Sequence, residues 1–143
     1  MPAGRLMLAV LVAATVVARA QQPAAPITTA RDVPRITQAD FRVKLNAKQV
    51  LVVDVRDEVA FKSGHIPGAI HVPAKEAAAR TSAIRRLAGT RLVVTYCSCA
   101  AEQSAAEAGL TLVQHGLPAV AALVGGYPDW IHNGGAAETA ASR

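Results

Sequence analysis

Both cysteines of this 143-residue chain fall within one decapeptide, TYCSCAAEQS at residues 95–104. Cys97 and Cys99 stand two positions apart, behind an apolar run and ahead of an alanine-rich stretch. Three chemistries are open to such a pair: a disulfide, a metal site, or a reactive thiol with a neighbour. A bridge over this separation closes almost no loop and removes little entropy from the unfolded chain, so it would make a poor staple. The pair therefore points to chemistry rather than scaffolding. Cys97 closes a β-branched run and opens a short loop that leads into a helical segment. Main-chain amides and the helix dipole at that junction favour thiolate over thiol, so Cys97 is expected to ionise more easily than a free cysteine. A thiolate is the attacking species in sulfur transfer, phosphoryl transfer and disulfide exchange. The alternative is a buried, inert cysteine. Cys99 is near enough to attack a persulfide or sulfenic acid on Cys97, releasing sulfide or closing a Cys97–Cys99 disulfide. That role needs Cα atoms within about 7 Å; without it, Cys99 is simply a small residue in a loop.

The elements that carry these residues alternate between strand and helix. Thr37 followed by Asp40 resembles a capping box with Asp in place of Glu or Gln, predicting a helix through Phe41 and Leu45. VLVVDV at 50–55 is a β-branched run suited to a buried strand. Asp57 caps a short helix through Val59 and Phe61, and SGHIPGAIHVP at 63–73 is a loop holding a short strand at 69–72. Residues 75–87 are helical in composition, with Gly89 as a stop, and RLVVTY at 91–96 is a second buried strand. A helix is expected over 103–114, with Ala106, Leu110 and Val113 on one side at i, i+4, i+7 spacing and Gly109 weakening it. AVAALV at 119–124 is a third buried strand, and a short helix near Trp130 follows GGYPDW. Strands alternating with helices imply a parallel sheet covered on both faces, with sites beyond the carboxyl ends of its strands. Asp54 and Cys97 both occupy such ends.

The chain ends restrict where this chemistry takes place. Arg5, the uncharged run LMLAVLVAATVVA at 6–18 and the small-x-small site Ala18-Arg19-Ala20 describe a secretory signal peptide over residues 1–20. The run falls short of the ~20 residues that span a bilayer, so membrane attachment is expected only if the segment stays uncleaved. Residues 21–34 read as a flexible linker, 35–133 as the domain and 134–143 as a disordered tail. The full chain carries a formal charge of +5; without Arg5 and Arg19, 13 basic residues against 10 acidic leave about +3. That is too mild for nucleic acid, and no basic stripe with interleaved aromatics appears. His71, His115 and His132 have no ligand spacing with the cysteines, so neither a metal nor another cofactor is expected, and His65 reads as a structural histidine in a Gly-Pro turn.

Taken together, Asp54-Val55-Arg56, Phe61 and GHIPGAI at 64–70 resemble the first signature of rhodanese-like domains. LVVTYCSC, a following helix and LVGGYPDW are similar to that family's active-site strand, loop and closing Gly-Gly…Trp segment. The resemblance covers about residues 35–133. It implies an α/β fold, a five-stranded parallel sheet flanked by helices on both faces. It also implies that Cys97 takes a sulfane sulfur from a small-molecule or protein donor, holds it as a persulfide and passes it to a thiophilic acceptor. The active-site loop would run through Ser98, Cys99, Ala100, Ala101 and Glu102 to Gln103, with Asp54 and Arg56 supporting it. A ring of amides would stabilise the charged persulfide without a cofactor.

The loop departs from the family's usual pattern. Active members often carry a glycine and an arginine there, and this loop has neither. A cysteine-based phosphatase needs an arginine six positions after the cysteine to clamp phosphate; Gln103 stands there and cannot form the bidentate fork. Glu102 either lies near the sulfur and repels anions or caps the first amides of the following helix, and the cap is the preferred reading. Either way the expected donor is a persulfide or polysulfide rather than thiosulfate. Two other readings remain open: thiol–disulfide oxidoreduction through Cys97 and Cys99, and a non-catalytic module that uses the loop for a partner or for copper(I).

Overall fold

A computed structural model describes residues 25–139; the expected signal segment lies outside them. Five strands form one all-parallel sheet: β1 (Arg35–Ile36), β2 (Val50–Asp54), β3 (Ile70–His71), β4 (Leu92–Tyr96) and β5 (Val120–Leu123), in the order β1-β5-β4-β2-β3. Five α-helices connect them: α1 (Gln38–Asn46), α2 (Glu58–Ser63), α3 (Ala77–Ala88), α4 (Gln103–Gln114) and α5 (Gly126–His132). Among the described residues no helix is long and apolar enough to cross a membrane.

Local signals set most boundaries. The Thr37 hydroxyl accepts from the Asp40 amide at 3.1 Å, and the Asp57 carboxylate from the Ala60 amide at 2.8 Å, so each caps its helix as its sequence predicts. Every residue of β2 is buried, and alternation divides them between two apolar layers. Leu51 and Val53 meet Ile84 of α3 and Ala105, Ala108 and Leu112 of α4 on one face. Val50 and Val52 meet Phe41 of α1 and Trp130 of α5 on the other. Phe41 and Trp130 lie edge to face, with centroids 5.6 Å apart.

Several expectations need correction. The buried face of α4 is Ala105, Ala106, Ala108, Gly109 and Leu112; Leu110 and Val113, expected on one side with Ala106, pack half-buried against the same core. Small residues face the sheet because the helix rides close to it: a Cβ on Gly109 would come within 3.1 Å of Val33 and 3.3 Å of Val120. Gly109, though a weak helix former, is thus needed for this packing. The segment read as linker is folded over 25–34. Asp32 accepts from the amides and hydroxyls of Thr28 and Thr29, which hold its carboxylate below the usual range, and Val33 is buried.

The tail expected to be disordered from residue 134 is likewise bound through residue 138. Glu138 and His65 exchange two backbone hydrogen bonds of 2.9 Å, and the Trp130 indole donates to the Ala136 carbonyl at 2.7 Å. Truncation after Asn133 leaves those buried groups unpaired. It should lower stability by about 1–3 kcal/mol, read as a lower midpoint in thermal unfolding.

Candidate active site

The chain reverses its direction of travel across the sheet between β2 and β4, and in such sheets the crevice opens beyond the carboxyl ends of the strands at that point. Asp54, the last residue of β2, lies in register with Tyr96, the last residue of β4. Cys97 follows at once, and the crevice beside it is a cavity of about 370 Å³ lined by Val55, Arg56, Ala74, Cys97, Ser98 and Cys99 among others.

Beneath the crevice lies a closed polar network. Asp54 is fully buried; it accepts from the Arg56 amide at 3.0 Å, from the Arg56 guanidinium through both oxygens, and from the Tyr96 hydroxyl at 2.7 Å. The Tyr96 hydroxyl accepts in turn from the Ile66 amide at 3.1 Å. Burial, followed by the nearby Asp54 charge, pushes the Tyr96 phenol far up, so it remains a donor to Asp54 at any ordinary pH. Burial alone would lower the Arg56 pKa, but the Asp54 carboxylate outweighs it and the net shift is upward. Arg56 also donates to the Gly64 carbonyl at 2.7 Å and lies 4.1 Å from the Tyr127 ring centroid. Asp54 and Arg56 therefore lock each other and Tyr96, the residue before Cys97. Arg56's charge is committed to Asp54, so it is not a free anion clamp.

The loop itself corrects two expectations. Cys97 and Cys99 are joined as a disulfide with Cα atoms 5.7 Å apart, so the structure shows the oxidised form of the pair. Among the described residues no ring of amides surrounds Cys97 Sγ in this disulfide form. The Cys99 amide reaches it at 3.4 Å, whereas the α4 amide of Ser104 donates to Cys99 Sγ at 3.3 Å. Cys97 is 4 % exposed and Cys99 is exposed.

Glu102 is the second correction. It occupies the position before α4, yet its side chain caps none of the helix amides. One carboxylate oxygen accepts from the Gly125 amide at 2.7 Å, and the other lies 3.6 Å from Arg35 Nε. Ala101 and Glu102 both adopt left-handed backbone, at φ 52° and 53°, which directs the carboxylate across the loop toward β1 and β5. Gln103 bonds Glu107 on the exposed side of α4 at 3.1 Å. Of the six loop residues after Cys97, only Ser98 and Cys99 line the cavity; Ala100, Ala101, Glu102 and Gln103 do not.

The two glycines of the closing Gly-Gly…Trp segment complete the site. Gly125 and Gly126 are both left-handed, at φ 69° and 52°, and a Cβ on Gly126 would overlap the Cys97 carbonyl oxygen. That carbonyl accepts from the Tyr127 amide at 2.9 Å, fixing the start of the loop to α5. Gly126→Ala should cost about 2 kcal/mol or more and displace Cys97, which thermal unfolding together with cysteine alkylation rates would reveal. The adjacent glycines were a visible signal, but their partner is distant in sequence. His65 is buried and stacked on Phe61 at 3.9 Å, with Nδ1 placed to donate to the Phe61 carbonyl, in keeping with a structural role. Among the described residues no three or more His, Cys, Asp and Glu side chains are grouped as metal ligands would be.

Known proteins agree with this architecture. BH2092 from Bacillus halodurans is 29% identical, with a TM-score of 0.64 over 79% of this chain and 83% of that one. The human single-domain sulfurtransferase TSTD1 shares the fold at 20% identity and a TM-score of 0.59, over 70% of this chain and 96% of its own. The HTH-type transcriptional regulator Rv0324 of Mycobacterium tuberculosis is 42% identical over 62 residues, which is 43% of this chain and 26% of the regulator. This chain thus spans about a quarter of that curated relative's length. The family described as the rhodanese-like domain matches residues 37–133, and with a match of that extent the chain belongs to the rhodanese-like family.

Proposed function

We propose that the protein is a sulfurtransferase whose Cys97 thiolate accepts a sulfane sulfur and carries it as a persulfide. The observation that carries this reading is the seat of Cys97. It stands at the carboxyl end of β4, beside a 370 Å³ crevice, in a chain of the rhodanese-like family. Membership of a family that includes a protein named as a sulfurtransferase supports the same chemistry.

The lining of the crevice favours the class of donor. Its charged residues are Arg56, neutralised by Asp54, and Asp57, whose carboxylate caps α2. Thiosulfate carries two negative charges and finds no uncommitted cation there. In a persulfide RSSH the sulfur under attack is uncharged, so its transfer needs no such cation. The acceptor is a thiol or another thiophile. With residues 1–20 acting as an export signal, this exchange takes place outside the cytoplasm.

The cysteine bridge favours a second reading, thiol–disulfide exchange, because both sulfurs already lie within bonding distance. One experiment separates the two. The reduced protein is incubated with thiosulfate and, separately, with glutathione persulfide, and its peptides are weighed. Sulfur transfer predicts one added sulfur on the Cys97 peptide or sulfide released from the donor, faster with the persulfide. Disulfide exchange predicts neither, and instead oxidation or reduction of a disulfide-bonded peptide.

A further inference from the structure

Cys97 and Cys99 differ in access and in what supports their sulfurs. Cys97 is buried against the sheet, and among the described residues the one amide on its Sγ is that of Cys99, at 3.4 Å. Cys99 is exposed, and its Sγ receives the Ser104 amide from the first turn of α4 at 3.3 Å. That turn carries the positive end of a twelve-residue helix dipole. The helix start, which the sequence aims at Cys97, thus supports a thiolate on Cys99. The clasp from Glu102 to Gly125 and Arg35 holds the left-handed pair Ala101–Glu102 immediately before that helix.

We infer that Cys99 is the second nucleophile of the cycle, so that the protein is a persulfide reductase that releases sulfide and not only a sulfur carrier. The inference rests on the reading of Cys97 as the sulfur acceptor. In the first step the Cys97 thiolate attacks the outer sulfur of a persulfide RSSH; the donor's S–S bond breaks and RS⁻ leaves, taking up a proton. In the second, the Cys99 thiolate attacks Cys97 Sγ. The new persulfide bond breaks, hydrosulfide leaves with the electron pair, and the Cys97–Cys99 disulfide forms. The sulfane sulfur is reduced and the two cysteines are oxidised. The bridge in the structure is the product of this step.

The bridge closes a ring of only three residues, so little chain entropy holds it shut against a reducing thiol. Regeneration uses that thiol, R′SH, and access decides where it attacks. Exposed Cys99 Sγ is reached first, which frees Cys97 as a thiolate beside the crevice and leaves R′ on Cys99. A second R′SH then attacks the R′ sulfur, and Cys99 departs as the thiolate that the Ser104 amide stabilises. The net reaction is RSSH + 2 R′SH → RSH + H₂S + R′SSR′, balanced in atoms and electrons.

The test is a single turnover. Reduced, desalted protein receives one equivalent of glutathione persulfide with no other thiol. It is then quenched, assayed for sulfide and weighed intact. The wild type is expected to release close to one equivalent of sulfide and to end two hydrogens lighter, with the bridge mapped to Cys97 and Cys99. Cys99→Ser and Cys99→Ala, checked for folding by thermal unfolding, are expected to end one sulfur heavier at Cys97 and to release roughly tenfold less sulfide. A persulfide retained equally by the wild type and both variants would overturn the role of Cys99 while leaving Cys97 as acceptor. Sulfur uptake by none of the three would overturn both.

Discussion

Cys97→Ser should take up no sulfur from any donor and lose at least about 10³-fold in sulfurtransferase rate, because a hydroxyl at neutral pH supplies neither the charge nor the polarisability of a thiolate. Cys99 is the loop's other thiol and also lines the crevice, but its part is to attack Cys97 Sγ rather than to hold the sulfur. Ser98 is exposed beside Cys97, and no histidine lines the crevice as a base. The fold should survive, since serine is close in size to cysteine and the lost bridge closes only three residues. A thermal midpoint near the wild-type value together with absent sulfur uptake is therefore the expected pair of results. A Cys97→Ser protein that still gains sulfur in its mass spectrum would move the chemistry elsewhere.

The largest effect on stability should come from Asp54→Ala. This change removes the carboxylate from beneath Arg56, whose side chain is only 8 % exposed, and takes the acceptor from the Tyr96 hydroxyl. Breaking a buried pair from one side strands the other charge and costs about 3–5 kcal/mol. Against the 5–15 kcal/mol that holds a typical domain, this is enough to populate unfolded protein at 37 °C. Denaturant unfolding measures it directly. Asp54→Asn keeps an acceptor for Tyr96 but not the charge, so it should fall between the wild type and Asp54→Ala. Equal losses in the two variants would mean that the hydrogen-bond geometry, and not the charge on Arg56, carries the energy.

What the sequence made visible and what it hid follow a physical division. Signals that act within a few residues were legible. Thr37 and Asp57 cap their helices, α4 runs over 103–114 as its composition implies, and the β-branched runs at 50–55 and 91–96 are central strands. What depends on a partner far along the chain was not. β1 is two residues long and has no periodicity of its own; its pairing with β5 makes it a strand. Residues 134–138 look like a tail until Glu138 meets His65. The position of Glu102 at the head of α4 was readable, but its partner Gly125 lies 23 residues away. The face of α4 was legible only in part. Leu110 and Val113 pack half-buried on the same core as Ala106, but close approach to the sheet puts Ala105, Ala108 and Gly109 at the centre of the contact.

The borders of the sheet have a consequence for how the protein behaves in company. Both outermost strands, Arg35–Ile36 and Ile70–His71, are two residues long. A neighbouring molecule thus finds almost no continuous row of unpaired peptide groups on which to extend the ladder. Even at high concentration the folded domain should resist growing into fibres through its margins, and any aggregation should begin from chains that have already lost the central strands.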